Sequence, residues 1–122
     1  MEMDFGVKVA SLGSDAFVLS VSGEADLHNA PEIEGHLKEL VARGARYGIV
    51  DLVEVGFIDS TVLGMLLRFQ PGFRARGGDI VLVSDDRRLL RTLEITGLDR
   101  IFRIEQRLGD AVSGAYLQLT TA

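Results

Sequence analysis

Apolar and polar positions change rhythm several times along the chain, and each rhythm predicts an element. Val7 and Val9 alternate with polar neighbours, Leu12-Gly13-Ser14-Asp15 supplies turn residues, and Phe17–Ser22 reads as a second strand. The two strands predict an antiparallel hairpin at or near the edge of a sheet. Ile33, Leu37, Leu40 and Val41 then fall at i, i+4, i+7 and i+8, one apolar stripe on a helix over Ala30–Arg43. Asn29 suits the N-cap of that helix and Pro31 its first turn. Glu32 and Glu34 complement the positive end of its dipole, and Gly44 stops it.

Tyr47–Leu52 is a short apolar run rich in β-branched residues, the composition of a buried central strand, with Val53–Ile58 expected as a connection. Asp59-Ser60-Thr61 opens a second helix that runs through Leu63, Leu66 and Leu67 toward Arg76 and ends at Gly77-Gly78. Pro71 falls inside it. Proline has no N–H to give the Leu67 carbonyl and its ring clashes there, which predicts a kink or break. Ile80–Val83 reads as another buried strand. Ser84-Asp85-Asp86 offers caps for a helix carrying Leu89, Leu90 and Leu93, which Gly97 stops. Ile101–Ile104 is a last short strand, and Asp110 a cap for a final helix with Val112, Ala115, Tyr116 and Leu119 turned inward. The order ββαβαβαβα belongs to the α/β class: a mixed sheet, largely parallel with right-handed crossovers, with an antiparallel hairpin at its start.

Composition narrows the function. The chain has 122 residues, the size of one domain over 1–122, and can bury a core without disulfides or metals. It has no Cys, which excludes a thiolate nucleophile and Cys-ligated zinc. No apolar run is long enough for a transmembrane helix, and Met1–Gly6 carries two acids and no basic segment of a signal peptide. The expected location is the cytoplasm, with no membrane partner. The net charge of −5 is uneven: residues 1–60 hold four basic and eleven acidic side chains, residues 61–122 nine and seven. The nine are all Arg, but Asp85, Asp86, Glu94, Asp99 and Glu105 lie among them. An ion-paired surface is therefore expected rather than a face for nucleic acid.

The residue types permit little catalysis. Ser60 lacks a Gly-x-Ser-x-Gly elbow, His36 reads as a solvated helix residue and His28 as a loop residue near a cap. Asp26, His28, Asp51 and Asp59 all fall at carboxyl ends of expected strands, where α/β proteins place ligands. Yet they form neither a His-x-His pair nor a dense carboxylate cluster, so no metal site is expected. No Gly-x-x-x-x-Gly-Lys loop exists, and Gly77-Gly78 precedes a strand instead of following one, so no nucleotide cofactor is expected. What remains is Asp59-Ser60-Thr61 at a helix start. These residues are preferred N-caps, and the triplet can be only that; alternatively it presents a hydroxyl for phosphorylation at the positive end of a helix.

Around this triplet the sequence resembles a known family. Phe57-Ile58-Asp59-Ser60-Thr61-Val62-Leu63-Gly64 is similar to the Asp-Ser-Ser/Thr-Gly-Leu-Gly signature of STAS-domain anti-sigma factor antagonists. Gly23-Glu24-Ala25-Asp26 matches their Gly-Glu-Leu/Ile-Asp segment, Gly77-Gly78-Asp79-Ile80-Val81-Leu82 their Gly-Gly strand entry, and Leu89-Leu90 through Phe102 their third helix and its exit. Val62 stands where the family has Gly, a bulkier and stiffer residue beside the partner-facing turn, and Pro71-Gly72 interrupts a helix that is uninterrupted in many relatives. The resemblance implies a STAS fold and a protein-binding activity, not catalysis. The unmodified antagonist binds an anti-sigma factor and frees the sigma factor. The anti-sigma factor, often a serine kinase, phosphorylates the antagonist, and a PP2C-type phosphatase reverses this. By motif match Ser60 is the phosphoacceptor, Asp59 its supporting neighbour and Asp26 an adjacent interface residue, with Thr61 beside them. Leu63 and Met65, just past the hydroxyl pair, are the candidate apolar contacts, core packing being the alternative for Leu63. A second reading keeps the fold without the switch, as a scaffold subunit of a lipid-transport or stressosome-like complex.

Overall fold

The computed structural model describes residues 4–121; Met1 to Met3, part of the stretch read above for a signal peptide, lie outside the described residues. The elements follow the expected order: β1 (Gly6–Leu12), β2 (Ala16–Ala25), α1 (Ala30–Ala42), β3 (Tyr47–Ile58), α2 (Ser60–Ala75), β4 (Asp79–Val83), α3 (Arg87–Thr96), a 3-10 turn (Leu98–Arg100), β5 (Arg103–Glu105) and α4 (Leu108–Thr121). The sheet runs β1-β2-β3-β4-β5, antiparallel between β1 and β2 and parallel elsewhere.

Alternation along the strands splits the core into two layers. Phe17, Leu19 and Val21 of β2 face α1, α2 and α3, meeting Ile33, Leu37, Leu66, Phe73 and Leu93. Ala16 and Val18 face the other way, with Tyr47, Ile49, Val81 and Val83, against Ala111 and Ala115 of α4. Helix α4 covers only part of its face. The face remains open where Lys8, Ser20, Ser22, Asp51 and Glu54 line a groove of about 310 Å³.

Five expectations from sequence need correction. Val53–Ile58 is not a connection but the continuation of β3, which pairs with β2 as far as Ala25↔Ile58. A register shift between Ser20 and Ser22, against Asp51 and Glu54, absorbs an extra residue in β3 and broke the alternation that marks a strand. Pro71 does not break α2, which runs unbroken from Ser60 to Ala75. Leu67 and Pro71 are both exposed, so water reaches the carbonyl that proline leaves unpaired. Tyr116 does not turn inward but is 53% exposed, and Asp110 lies in the first turn of α4, not at its cap. The last strand is Arg103–Glu105, because Leu98–Arg100 winds into the 3-10 turn and Ile101 follows it.

Candidate functional site

The carboxyl ends of β2 and β3 lie side by side, tied by the Asp59 N–H donating to the Ala25 carbonyl at 3.1 Å. The loops that leave them are built around two carboxylates. Asp59 has extended backbone, as an N-cap requires, and its Oδ1 accepts the Val62 N–H at 3.2 Å. Its Oδ2 accepts the Leu27 N–H at 2.8 Å, so one side chain both caps α2 and fixes the loop before α1. Asp26 organises that loop from within. Its Oδ1 accepts the Asn29 N–H at 3.0 Å and its carbonyl the Ala30 N–H at 2.9 Å. Asn29 stands at the N-cap position of α1 but makes no side-chain cap there; its Nδ2 donates instead to the Glu24 carbonyl at 2.8 Å.

Gly23 explains how this loop packs. Its φ of +86° is left-handed, and a Cβ on it would meet the Asp4 carbonyl oxygen and the Phe5 Cα at 2.9 Å. Only glycine lets the chain before β1 cross so close to the end of β2.

Ser60 is the first residue of α2, and both it and Thr61 are exposed. Asp26 and Asp59 are half-buried beside them. The structure thus brings together Asp26, Asp59, Ser60 and Thr61 on one end of the molecule. It does not bring the expected apolar contacts to that surface. Leu63 and Met65 are 6% and 2% exposed and belong to the core, because the turn that points Ser60 and Thr61 outward points Val62, Leu63 and Met65 in. Val62 is likewise buried, so a side chain at this position fills the core side of the helix and not the exposed side that carries Ser60 and Thr61.

Two residues that sequence reasoning missed supply the apolar surface. Leu27 is 67% exposed in the β2–α1 loop, and Phe57 is 52% exposed near the end of β3. An apolar residue between Asp26 and His28, in a loop of otherwise polar residues, was the available signal for the first. The second was hidden by reading Val53–Ile58 as a connection. Leu27 lines a cleft of about 180 Å³ between α1 and α2 with Pro31, Thr61, Met65 and Arg68, and Arg68 pairs with Glu34 there at 2.9 Å. Phe57 lines a second, of about 160 Å³, with Ile58, Asp86, Arg88 and Thr92. Thr61 lines the first cleft and Phe57 and Ile58 the second, so the turn carrying Ser60 joins the two, and each cleft has an arginine in its lining.

The remaining candidates disperse. Asp51 sits within β3, not at its end, paired with Ser20 and accepting the Val53 N–H at 3.1 Å in the irregular stretch. His28 is exposed in the loop and His36 half-buried on α1. Among the described residues, no group of three His, Cys, Asp or Glu side chains is placed to hold a metal ion. No helix among them is long and apolar enough to cross a membrane.

The STAS domain model matches residues 9–111. The anti-sigma-B factor antagonist of Listeria monocytogenes is 31% identical over 108 residues, which are 88% of this chain and 95% of that protein. The anti-sigma-B factor antagonist of Bacillus subtilis is 32% identical over 105 residues, 86% of this chain and 94% of that protein. Among solved structures, an anti-sigma factor antagonist from Mycobacterium paratuberculosis superposes with a TM-score of 0.79 at 26% identity, covering 93% of this chain and 95% of that one.

Proposed function

The chain belongs to the STAS domain family, and from that premise we propose that it is an anti-sigma factor antagonist switched by phosphorylation of Ser60. In this reading the unmodified protein acts in the cytoplasm, as a binding module and not an enzyme. It docks an anti-sigma factor, itself a serine kinase, on the surface formed by Asp26, Leu27, Phe57, Ser60 and Thr61. A PP2C-type phosphatase returns the phosphorylated form to the binding state. The observation that carries the reading is the placement of Ser60: an exposed hydroxyl on the first residue of a helix whose cap is already made by its neighbour Asp59. Asp59 performs the capping, which leaves the Ser60 hydroxyl available for transfer.

The switch follows from charge and desolvation. A phosphoserine brings about −1.5 to −2 charges. Left in water at the positive end of α2 it is tolerated, since an anion there gains roughly 0.3–1 kcal/mol against repulsion from Asp59. Covered by a partner it must lose its hydration, at several kcal/mol if no cation meets it. A penalty of ~4 kcal/mol weakens affinity almost a thousandfold at about 1.4 kcal/mol per decade.

The test is to incubate the chain with ATP and the serine-kinase anti-sigma factors of its own organism. Mass spectrometry then locates any phosphate, and calorimetry measures binding before and after. Phosphate on Ser60 with affinity lost is the expected result. Phosphate elsewhere, or equal affinity of the two forms, overturns the proposal.

A further inference from the structure

The two edges of the sheet are protected very differently. At one edge β5 is three residues long, and Arg103 and Glu105 are two of them. Brevity and charge are the usual defences of an exposed edge. At the other edge, among the described residues, β1 pairs with β2 alone, through seven consecutive residues from Gly6↔Ser22 to Leu12↔Ala16 with no bulge. It holds no proline and a single charge, Lys8. Its outer N–H and C=O groups form a template for another strand.

We propose that this strand is a second copy of β1, paired antiparallel about a two-fold axis at Val9, so that two five-stranded sheets become one. A two-fold axis normal to the sheet keeps every side chain on its own face, so opposed residues must be an even number apart. Centring on Lys8 opposes like charges, which is destabilising, and shortens the overlap. Centring on Ala10 also shortens it. Centring on Val9 uses all seven residues: Gly6 opposite Leu12, Val7 opposite Ser11, Lys8 opposite Ala10, and Val9 opposite itself. The two lysines then lie diagonally on the open face, each lining a groove that also carries the acidic Asp51 and Glu54.

A strand pair about 20 Å long falls short of the ~1,200–2,000 Å² buried in stable interfaces. The face carrying α4 supplies the rest. Leu12 and Ala16, at the turn end of the hairpin, line a small apolar crevice with Ala115, Tyr116 and Leu119 of α4, and Tyr116 stands exposed there. The open groove lies at the other end of β1, over Gly6 and Lys8. Opposing Leu12 to Gly6 brings the Tyr116 of each copy to the mouth of the other copy's groove, so half-covered faces complete one another. Ser60 lies at the carboxyl ends of β2 and β3, away from this edge, and both copies keep it free. The dimer stands or falls independently of the phosphorylation switch.

The test is sedimentation of the full chain across the micromolar range, with amide exchange as a second readout. The weight-average mass is expected to rise to that of two chains, with exchange across Gly6–Leu12 slowing as concentration rises. Val9→Lys opposes like charges at the axis and should leave a monomer with unchanged circular dichroism. Tyr116→Ala alters an exposed side chain and should weaken dimerisation about tenfold; it decides the matter if the strand variant fails to fold. A monomer at every concentration overturns the proposal, as does a dimer that Tyr116→Ala leaves unaffected or a dimer without protection at β1.

Discussion

The Asp59 carboxylate accepts the Leu27 N–H at 2.8 Å across a sequence separation of 32 residues, while its other oxygen caps α2. One side chain therefore sets the spacing between the turn that carries Ser60 and the exposed Leu27. Asp59→Ala should cost about 1–2 kcal/mol for the cap. It should also free the Leu27 loop, measurable by urea titration and by faster amide exchange at Leu27. Asp59→Asn retains an oxygen that can cap α2 and should lose less than half as much. Equal losses for the two variants would mean that the charge, and not the geometry, is what matters.

Leu27 and Phe57 should behave oppositely to Leu63 and Met65. The first pair is exposed, so truncation to Ala should leave stability within about 0.5 kcal/mol. In the proposed interface each such change should weaken anti-sigma factor binding by about 1–2 kcal/mol. Leu63→Ala and Met65→Ala remove core volume and should destabilise the fold by about 2–5 kcal/mol. Thermal melts and calorimetry on the four variants separate the two classes. An affinity loss confined to Leu63 and Met65 at full stability would return the contact surface to them.

Gln70 shows what the sequence concealed. It is fully buried on α2, where its Oε1 accepts the Ile80 N–H at 2.8 Å and its Nε2 donates to Asp79 Oδ1 at 2.5 Å and to the Ile101 carbonyl at 2.9 Å. It joins α2 to β4 and to the turn before β5. A polar residue inside a helix gives no periodic signal that it faces inward, because partners from 9 to 31 residues away satisfy it. Gln70→Leu keeps the bulk and strands the Ile80 N–H, and should cost about 2–4 kcal/mol by denaturant titration. A neutral result would show that this N–H finds another acceptor.

What was legible obeyed local rules. The stripe Ile33, Leu37 and Leu40 is buried as its spacing predicts, and Gly44, Gly77 and Gly97 end their helices with positive φ. Asp59-Ser60-Thr61 was visible because a cap is a local signal. What was not legible depended on distant partners: the irregular extension of β3, the inward direction of Met65, and the exposure of Phe57; for Leu63 the sequence left core and contact both open, and it is core. Pro71 falls between the two cases. A break was expected from its missing N–H, but α2 continues through it with Leu66, Gln70 and Phe73 buried on either side. Pro71→Ala should therefore stabilise the protein, by at most the ~3 kcal/mol that separates proline from alanine in a helix interior. A loss of stability would mean that the ring's restriction of the unfolded chain outweighs the hydrogen bond it forfeits.

Phosphorylation of Ser60 should leave the fold intact while abolishing binding. The phosphate meets a helix N-terminus whose Val62 N–H is already bonded to Asp59, so it gains at most the dipole contribution of roughly 0.3–1 kcal/mol. Repulsion from Asp59 opposes this through solvent. The difference is small against a domain stability of about 5–15 kcal/mol, so the melting temperature should move by only a few degrees. In the partner complex the same charge loses its water and affinity should fall by two to three orders of magnitude. Ser60→Asp should reproduce part of the effect, since a carboxylate carries one charge and fewer acceptor oxygens. Ser60→Ala should bind with or without kinase, and Thr61→Ala should stay switchable. A phospho-form that has lost its circular dichroism would replace electrostatic exclusion with unfolding as the basis of the switch.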